Sequence, residues 1–373
     1  MEVKEKKVGL ENEEYIINMG PQHPSTHGVL RLVVALKGEI VQRVEPHIGY
    51  IHRGIEKMCE NLTYQQIIHL TDRMDYLSAH INNEAVCLTV EKALEIEVPE
   101  RVKYIRTIMS ELTRIQSHQL FWATFGMDLG GLTCFFYGLR DREKVLDIFE
   151  ESCGGRMIVS YNTPGGLMND IHPNFQNRVK EFLKYFRGVI HEYDDLLTGN
   201  VIFQERSKGM GVMTKEEAIA WGLTGPTGRA SGFSCDIRKH IPYSAYDKVT
   251  FREILYNEGD VFHRYLARME EMRESMNIID QLIDNIPEGP YTAKMKPVIK
   301  LPEGEYFQSV ETARGELGVY IVSDGNKNPY RVKFRSPNFV NLAPLNLMAR
   351  GSKIADLVAI GGSLDLIIPD IDR

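Results

Sequence analysis

No two of the five cysteines in this 373-residue chain, at positions 59, 87, 134, 153 and 235, stand in a CxxC pair or any other metal-ligand spacing. That excludes a thiolate-bound metal centre or a redox disulfide written in the local sequence. The cysteines are expected instead as small apolar side chains, buried in a reducing compartment. Long apolar runs are missing as well: nothing approaches the roughly 20 residues that cross a bilayer, and the longest candidate, 29–36, has the length of a strand. The chain is therefore not expected to span a membrane by itself. Its start, Met1-Glu2-Val3-Lys4-Glu5-Lys6-Lys7, holds charge where a secretory signal needs an apolar stretch, and a cytoplasmic compartment is the expectation. Positive charge is in deficit, with a net charge of −7. No nucleic-acid partner is expected, because phosphate binding needs a basic surface. Internal repeats and low-complexity linkers are absent too.

What is present is ordinary globular material, 43% apolar and 25% charged, long enough to bury a sizeable core. Residues 15–19, 29–36 and 40–44 read as strands, the last two joined by Lys37-Gly38-Glu39, a hairpin signal. Beyond Ile48 the texture changes. Segments 51–62, 63–93, 100–125 and 138–153 carry apolar residues at three- and four-residue intervals, as in Ile105, Met109, Leu112, Ile115, Gln116 and Leu120. Thr163-Pro164-Gly165-Gly166 interrupts the pattern before helices near 173–197 and 215–222, the latter opened by a capping box of Thr214 and Glu217. A long amphipathic helix is expected at about 255–286, stopped by Pro287-Glu288-Gly289-Pro290. Strands return at 318–323 and 330–334 around Asp324-Gly325-Asn326. The expected class is α+β: an N-terminal antiparallel region (1–47), a helical bundle (48–288) and a strand-rich C-terminal region (289–373) packed as one integrated domain.

Two segments are too polar for a core. The first, Gly20-Pro21-Gln22-His23-Pro24-Ser25-Thr26-His27-Gly28-Val29-Leu30-Arg31-Leu32, is a stiff loop that runs into a strand and offers two imidazoles that titrate near neutrality. His23 and His27 stand four apart, the spacing of a helical metal pair, but Pro24 lies between them and a loop is expected instead. The second, Thr71-Asp72-Arg73-Met74-Asp75-Tyr76, is expected at the centre of a helix, where composition alone gives a salt-bridged face with a half-buried tyrosine.

The first segment resembles the N-terminal signature of the 49 kDa (D-type) subunit of respiratory complex I, a relative of the nickel–iron hydrogenase large subunit, and Arg73-Met74-Asp75-Tyr76 resembles a hallmark of the same family. Further matches run through Arg229-Ala230-Ser231-Gly232, Asp236-Ile237-Arg238-Lys239, Gly259-Asp260-Val261, Glu311-Thr312-Ala313-Arg314-Gly315-Glu316-Leu317-Gly318 and Val322-Ser323-Asp324-Gly325, so the likeness covers about 17–373. It implies that Tyr76 meets one carbonyl of a quinone headgroup and His27 the other. Quinone reduction places negative charge on two oxygens and takes up two protons, so donors are needed at both ends. Asp128, within Phe125-Gly126-Met127-Asp128-Leu129-Gly130-Gly131, matches the family aspartate that pairs with this histidine and would orient it and favour its protonated form. Without the family, Asp128 reads as a helix-end or turn residue. Arg73 matches an arginine close to a [4Fe–4S] cluster held by a neighbouring subunit. His47 and His52, in a further family motif, are assigned structural roles.

The hydrogenase comparison turns the missing cysteines into information. A nickel–iron centre needs four thiolates from two CxxC pairs; the tetrad around Arg73 stands in place of the first, and Ser363-Leu364-Asp365-Leu366-Ile367-Ile368-Pro369-Asp370-Ile371-Asp372-Arg373 resembles the second region without its cysteines. Soft ligands are not replaced by Met, Asp or Tyr, so no metal is expected on this chain and the old cavity would be open to quinone. Where many family members carry a histidine tied to the pH dependence of the cluster, this chain has Ile158. The expected cluster is therefore less proton-coupled and lower in potential, which suits an acceptor such as menaquinone. The resemblance implies the quinone-site subunit of a proton-pumping NADH (or ferredoxin):quinone oxidoreductase, peripheral on the cytoplasmic face of the cell membrane. It would be flanked by the cluster-bearing B-type subunit, a C-type subunit, a ferredoxin-like I-type subunit and an H-type membrane subunit. The competing expectation is a scaffold subunit of a related ferredoxin-fed or hydrogenase-like complex.

Overall fold

The computed structural model of the protein describes residues 3–7, 13–23 and 28–373. Strands β1 (Val3–Lys7), β2 (Glu13–Met19), β3 (Arg31–Lys37) and β4 (Ile40–His47) form one antiparallel sheet in chain order. Three of these strands follow the expected pattern. β1 escapes it because its sequence, VKEKK, is charged at every position but the first, a composition suited to an edge strand that resists further pairing. Leu32, Val34 and Leu36 of β3 and Val41 and Val44 of β4 are buried and seat the sheet on the helical body. The β2–β3 connection is closed at its base by a bridge between His23 and Gly28; Pro24, Ser25, Thr26 and His27 lie outside the described residues.

Helices α1 (Ile55–Cys59), α2 (Tyr64–Thr71), α3 (Ala79–Leu94), α4 (Glu100–Asp128) and α5 (Leu132–Cys153) follow. The continuous helix expected over 63–93 is broken at 72–78, so the Arg73–Tyr76 tetrad sits in a turn and not at a helix centre. Short polar side chains explain the break, because they offer the backbone partners that compete with the helical ladder. Asp75 Oδ1 accepts from the Leu77 N–H at 3.1 Å, and Asn82 Nδ2 donates to the carbonyls of Thr71 at 3.2 Å and Asp75 at 3.1 Å. Helix α4 is buried on nearly every side and packs against α3, α5 and two later helices. Its contact with α5 is close: a Cβ on Gly138 would lie 2.9 Å from the carbonyl oxygen of Gln119.

A small hairpin, β5 (Asn162–Thr163) and β6 (Gly166–Leu167), precedes α6 (Phe175–Tyr193), α7 (Val201–Glu205), α8 (Lys215–Ala220), α9 (Gly225–Arg229), α10 (Ile237–His240) and α11 (Val261–Ile283). The Thr214–Glu217 capping box opens α8 as expected. The long helix α11 begins six residues later than its apolar pattern, because Asp260 caps it, its Oδ1 accepting from His263 N–H at 2.8 Å. Arginines and carboxylates meet at the centre of the bundle. Arg229 pairs with Glu271 and Glu311, and Arg238 with Asp236 and Glu111, all fully buried or nearly so.

Strands β7 (Gly304–Thr312), β8 (Gly315–Ser323) and β9 (Arg331–Arg335) form the second antiparallel sheet; β8 and β9 match the expected hairpin. Beyond Arg335 the chain is helical, with α12 (Pro337–Leu342), α13 (Leu345–Ala349), α14 (Ile354–Ser363) and α15 (Ile368–Asp372). The strand-rich character is thus confined to 304–335, and the architecture is α+β as expected. The C-terminal turn is tied to the segment after β4. The Asp372 carboxylate accepts from the N–H groups of Gly49 at 2.8 Å and Ile51 at 3.0 Å, while His52 Nδ1 meets the Asp372 carbonyl at 2.5 Å.

Candidate functional site

The N-terminal sheet, the α2–α3 turn, α4 and α14 close around an apolar cavity of about 230 Å³. Met19, Leu30 and Leu32 come from the sheet, Leu120, Phe121 and Thr124 from α4, and Gly361 and Gly362 from α14. Besides Thr124, whose hydroxyl is turned back to the Leu120 carbonyl at 2.9 Å, the polar side chains of the lining are Tyr76 and Asp365. An apolar enclosure with a few convergent polar groups is the usual form of a small-molecule site.

Tyr76 reaches the wall because the chain turns at 72–78; a helix through this segment would not hold the same geometry. The ring is half-buried, and burial pushes its phenol above the ordinary value, with Asp75 and Asp365 adding to the rise and Arg314 and Arg142 opposing it. Beneath it lies a buried ion cluster that joins three distant parts of the chain. Arg314, at the β7–β8 turn, donates from Nη2 to Asp365 Oδ1 at 3.0 Å, from Nη1 to Asp75 Oδ2 at 3.3 Å and from Nη1 to Ser117 Oγ at 2.7 Å. Its Nε also reaches the Asp365 carbonyl at 3.0 Å. Asp365 holds a left-handed φ of 54°, a conformation that costs a non-glycine residue energy and is retained where surroundings enforce it. Arg268 approaches Asp365 at 3.7 Å and stacks over the Phe121 ring, 4.4 Å from its centroid.

Asp128 is the last residue of α4, the helix-end position that its sequence context allowed. Its Oδ2 would lie 3.4 Å from a Cβ built on Gly362, which brings the carboxylate to the α14 wall of the cavity. A carboxylate at a helix C-terminus opposes the helix dipole and gains from a cationic partner. The expected partner, His27, lies outside the described residues; the base of its loop sits against the last helix, a Cβ on Gly28 falling 3.0 Å from Ile368 Cγ1.

Arg73 is not brought to the cavity. It is exposed on the opposite side of the turn, donating to the His69 carbonyl at 2.5 Å and lying 3.5 Å from Asp72. Ser160 ties this surface to the 155–160 segment, bonding His69 Nδ1 at 2.7 Å and Asp72 Oδ2 at 3.3 Å. Met157 and Ile158, 40% and 43% exposed, belong to that segment. Among the described residues no three His, Cys, Asp or Glu side chains gather as a metal-binding group, and no helix is long and apolar enough to cross a membrane.

Reading the sequence missed Arg314, Asp365 and Arg142 as site components. Arg314 and Asp365 fall in family-like motifs, but nothing local says that they meet Asp75. A further buried carboxyl, Asp370, stands close enough to feel Asp75. Burial pushes it up to about 6, Asp75 adds to the rise, and hydrogen bonds from Asn338 and Ser336 only partly offset it. A carboxyl with a higher pKa folded than unfolded holds its proton more tightly in the native state. Stability therefore falls as pH rises from about 4 through about 6 and stays reduced above, on the order of 3 kcal/mol at 1.36 kcal/mol per pKa unit. Asp370→Asn, which keeps an oxygen for both donors, is expected to stabilise the protein above pH 6 and to flatten that slope. Heat inactivation of the assembled complex at pH 5 and 7.5 measures it.

Comparison with known proteins agrees with this architecture. The family described as "Respiratory-chain NADH dehydrogenase, 49 Kd subunit" matches residues 128–373. The C/D-type subunit of the NADH-quinone oxidoreductase of Bacteroides thetaiotaomicron is 62% identical over 361 residues, 97% of this chain and 68% of that protein. The D-type subunits of the NADH-quinone oxidoreductases of Desulforamulus reducens and Clostridium beijerinckii are 48% and 49% identical, the alignments spanning 97% and 98% of this chain and 99% and 98% of theirs. A family match across two-thirds of the chain and near full-length identity of this order leave one conclusion: the chain belongs to the 49 kDa-subunit family of the respiratory-chain NADH dehydrogenase.

Proposed function

We propose that this chain is the quinone-site subunit of an NADH:quinone oxidoreductase and that the headgroup enters the cavity walled by Tyr76. The observation that carries the reading is the pairing of an apolar, headgroup-sized enclosure with one phenol on its wall and a buried Asp75–Arg314–Asp365 cluster below. Tyr76 donates to one quinone carbonyl and His27 to the other, with Asp128 orienting the imidazole and favouring its charged form. The quinone takes two electrons and two protons, and the two donors answer the charge that develops on its oxygens. A [4Fe–4S] cluster held by the B-type neighbour would supply the electrons. Arg73 and the exposed Met157 and Ile158, on two segments tied together through Ser160, are the part of this chain offered to that neighbour. Ile158 can neither donate a hydrogen bond nor take a proton, which favours a low-potential acceptor such as menaquinone. The C-type, I-type and H-type subunits complete the proposed assembly, with this chain peripheral on the cytoplasmic face of the membrane.

Gly361 offers a direct test, because a side chain there points into open space, a Cβ meeting nothing within 4 Å. Gly361→Phe fills the cavity with a ring. The apparent KM for quinone is expected to rise about tenfold, the 1.4 kcal/mol lost when a bound ring is crowded from an apolar pocket, while the cluster stays reducible by the donor side. An unchanged KM would put the headgroup elsewhere.

A further inference from the structure

Arg142 of α5 differs from the other buried arginines. Arg106, Arg114, Arg229, Arg238, Arg268 and Arg314 each stand within 4 Å of a carboxylate. Arg264 has no such partner but gives Nη1 to the carbonyls of Gly211 and Gly259 and Nε to Ser363. Arg142 is 6% exposed and makes one hydrogen bond among the described residues, from Nε to Gln116 Oε1 at 2.7 Å. Its Nη2 is buried with no partner among those residues; Glu143, next in the chain, is the foremost charge acting on it but makes its ion pair with Arg156. Burying a cation without a counter-charge is costly, and such groups are kept where their field is used.

The field falls on Tyr76. Gln116 passes the connection on, its Nε2 donating to the Leu77 carbonyl at 2.5 Å, so two hydrogen bonds string the guanidinium to the residue beside Tyr76. Four charged groups act on the phenol: Arg314, Asp75, Asp365 and Arg142. The first three sum to one negative charge, which Arg268, 3.7 Å from Asp365, balances. Arg142 is left as the unmatched charge.

We infer that Arg142 is a positioning residue for quinone reduction, its unpaired charge serving as the counter-ion to the phenolate left when Tyr76 gives up its proton. The inference rests on the reading that Tyr76 is a donor to the quinone. As the quinone takes electrons from the neighbouring subunit's iron–sulfur carrier, the Tyr76 O–H bond breaks and an O–H bond forms on the reduced carbonyl oxygen. The phenolate stays beside Arg142 until a solvent proton restores it. A nearby cation favours the ionised phenol, and that lowers the barrier to giving the proton away.

The test is the pH profile of quinone reduction by the assembled complex. Tyr76 must start protonated, so activity falls on the alkaline side as the phenol ionises. In Arg142→Gln the phenol holds its proton more tightly: the alkaline limb moves up by about one pH unit and the rate at neutral pH falls several-fold, with KM for quinone changed less than about twofold. Arg142→Lys keeps the charge and restores the limb. Should Arg142→Gln not assemble, Gln116→Glu sets a carboxylate against the intact guanidinium and shifts the limb in the same direction. A limb that stays in place in an assembled Arg142→Gln or Gln116→Glu complex, while Tyr76→Phe is inactive, overturns this inference alone. Full activity in Tyr76→Phe overturns the reading beneath it as well.

Discussion

Arg314→Met is expected to cost the folded protein about 3–5 kcal/mol, the range for removing one partner from a buried ion pair. Methionine keeps the apolar stem of the side chain but not its four contacts, which go to both carboxylates, a serine and a carbonyl. Asp75 and Asp365 would then face each other in the interior with no cation between them. The defect should depend on pH in a definite sense. Burial already holds the Asp75 carboxyl above its usual range, and Arg314 is the first influence pulling it back. Without Arg314 the folded protein binds that proton more tightly still. Stability then falls further as pH rises above the ordinary carboxylate range. Thermal inactivation of the complex, compared with the parent at pH 5.5 and 8, reads this directly: the deficit is larger at pH 8. A deficit independent of pH would mean that the lost interactions were packing and not charge.

Arg314 also illustrates what the sequence could convey and what it could not. Strands with period-two burial, the Thr214 capping box and the 324–326 hairpin turn are local features, and local physics reads them. The break at 72–78 was harder, since the apolar spacing continues through it while Asp75 and Asn82 draw the backbone out of the helix. The edge strand β1 was invisible because its sequence, VKEKK, carries no apolar stripe. At the site, Tyr76 was singled out by its motif, whereas the partner of Asp75 is 239 positions away. No window of sequence holds that contact. Arg142 was hidden for the opposite reason, since its distinction is a counter-charge that is not there. An arginine on an amphipathic helix is ordinarily a solvated or paired side chain.

Tyr76→Phe carries the largest expected effect on activity. The substitution removes one oxygen and leaves the ring against the same apolar wall, so packing and assembly are preserved. What is lost is a donor aimed at a carbonyl oxygen as charge develops there. Loss of a positioned general acid costs on the order of a hundredfold or more in rate, and most of it should appear in kcat, because the interaction strengthens as the quinone is reduced. Phenylalanine also abolishes the alkaline limb that a titrating phenol imposes. The decisive measurement is quinone reduction by intact, membrane-bound complex carrying Tyr76→Phe, made beside a donor-driven reduction of its iron–sulfur clusters. A quinone reaction slowed a hundredfold or more, with clusters that still fill, is the result expected of a headgroup bound at this cavity. Full quinone reductase activity in a normally assembled complex would contradict it, leaving this chain a scaffold and the chemistry elsewhere.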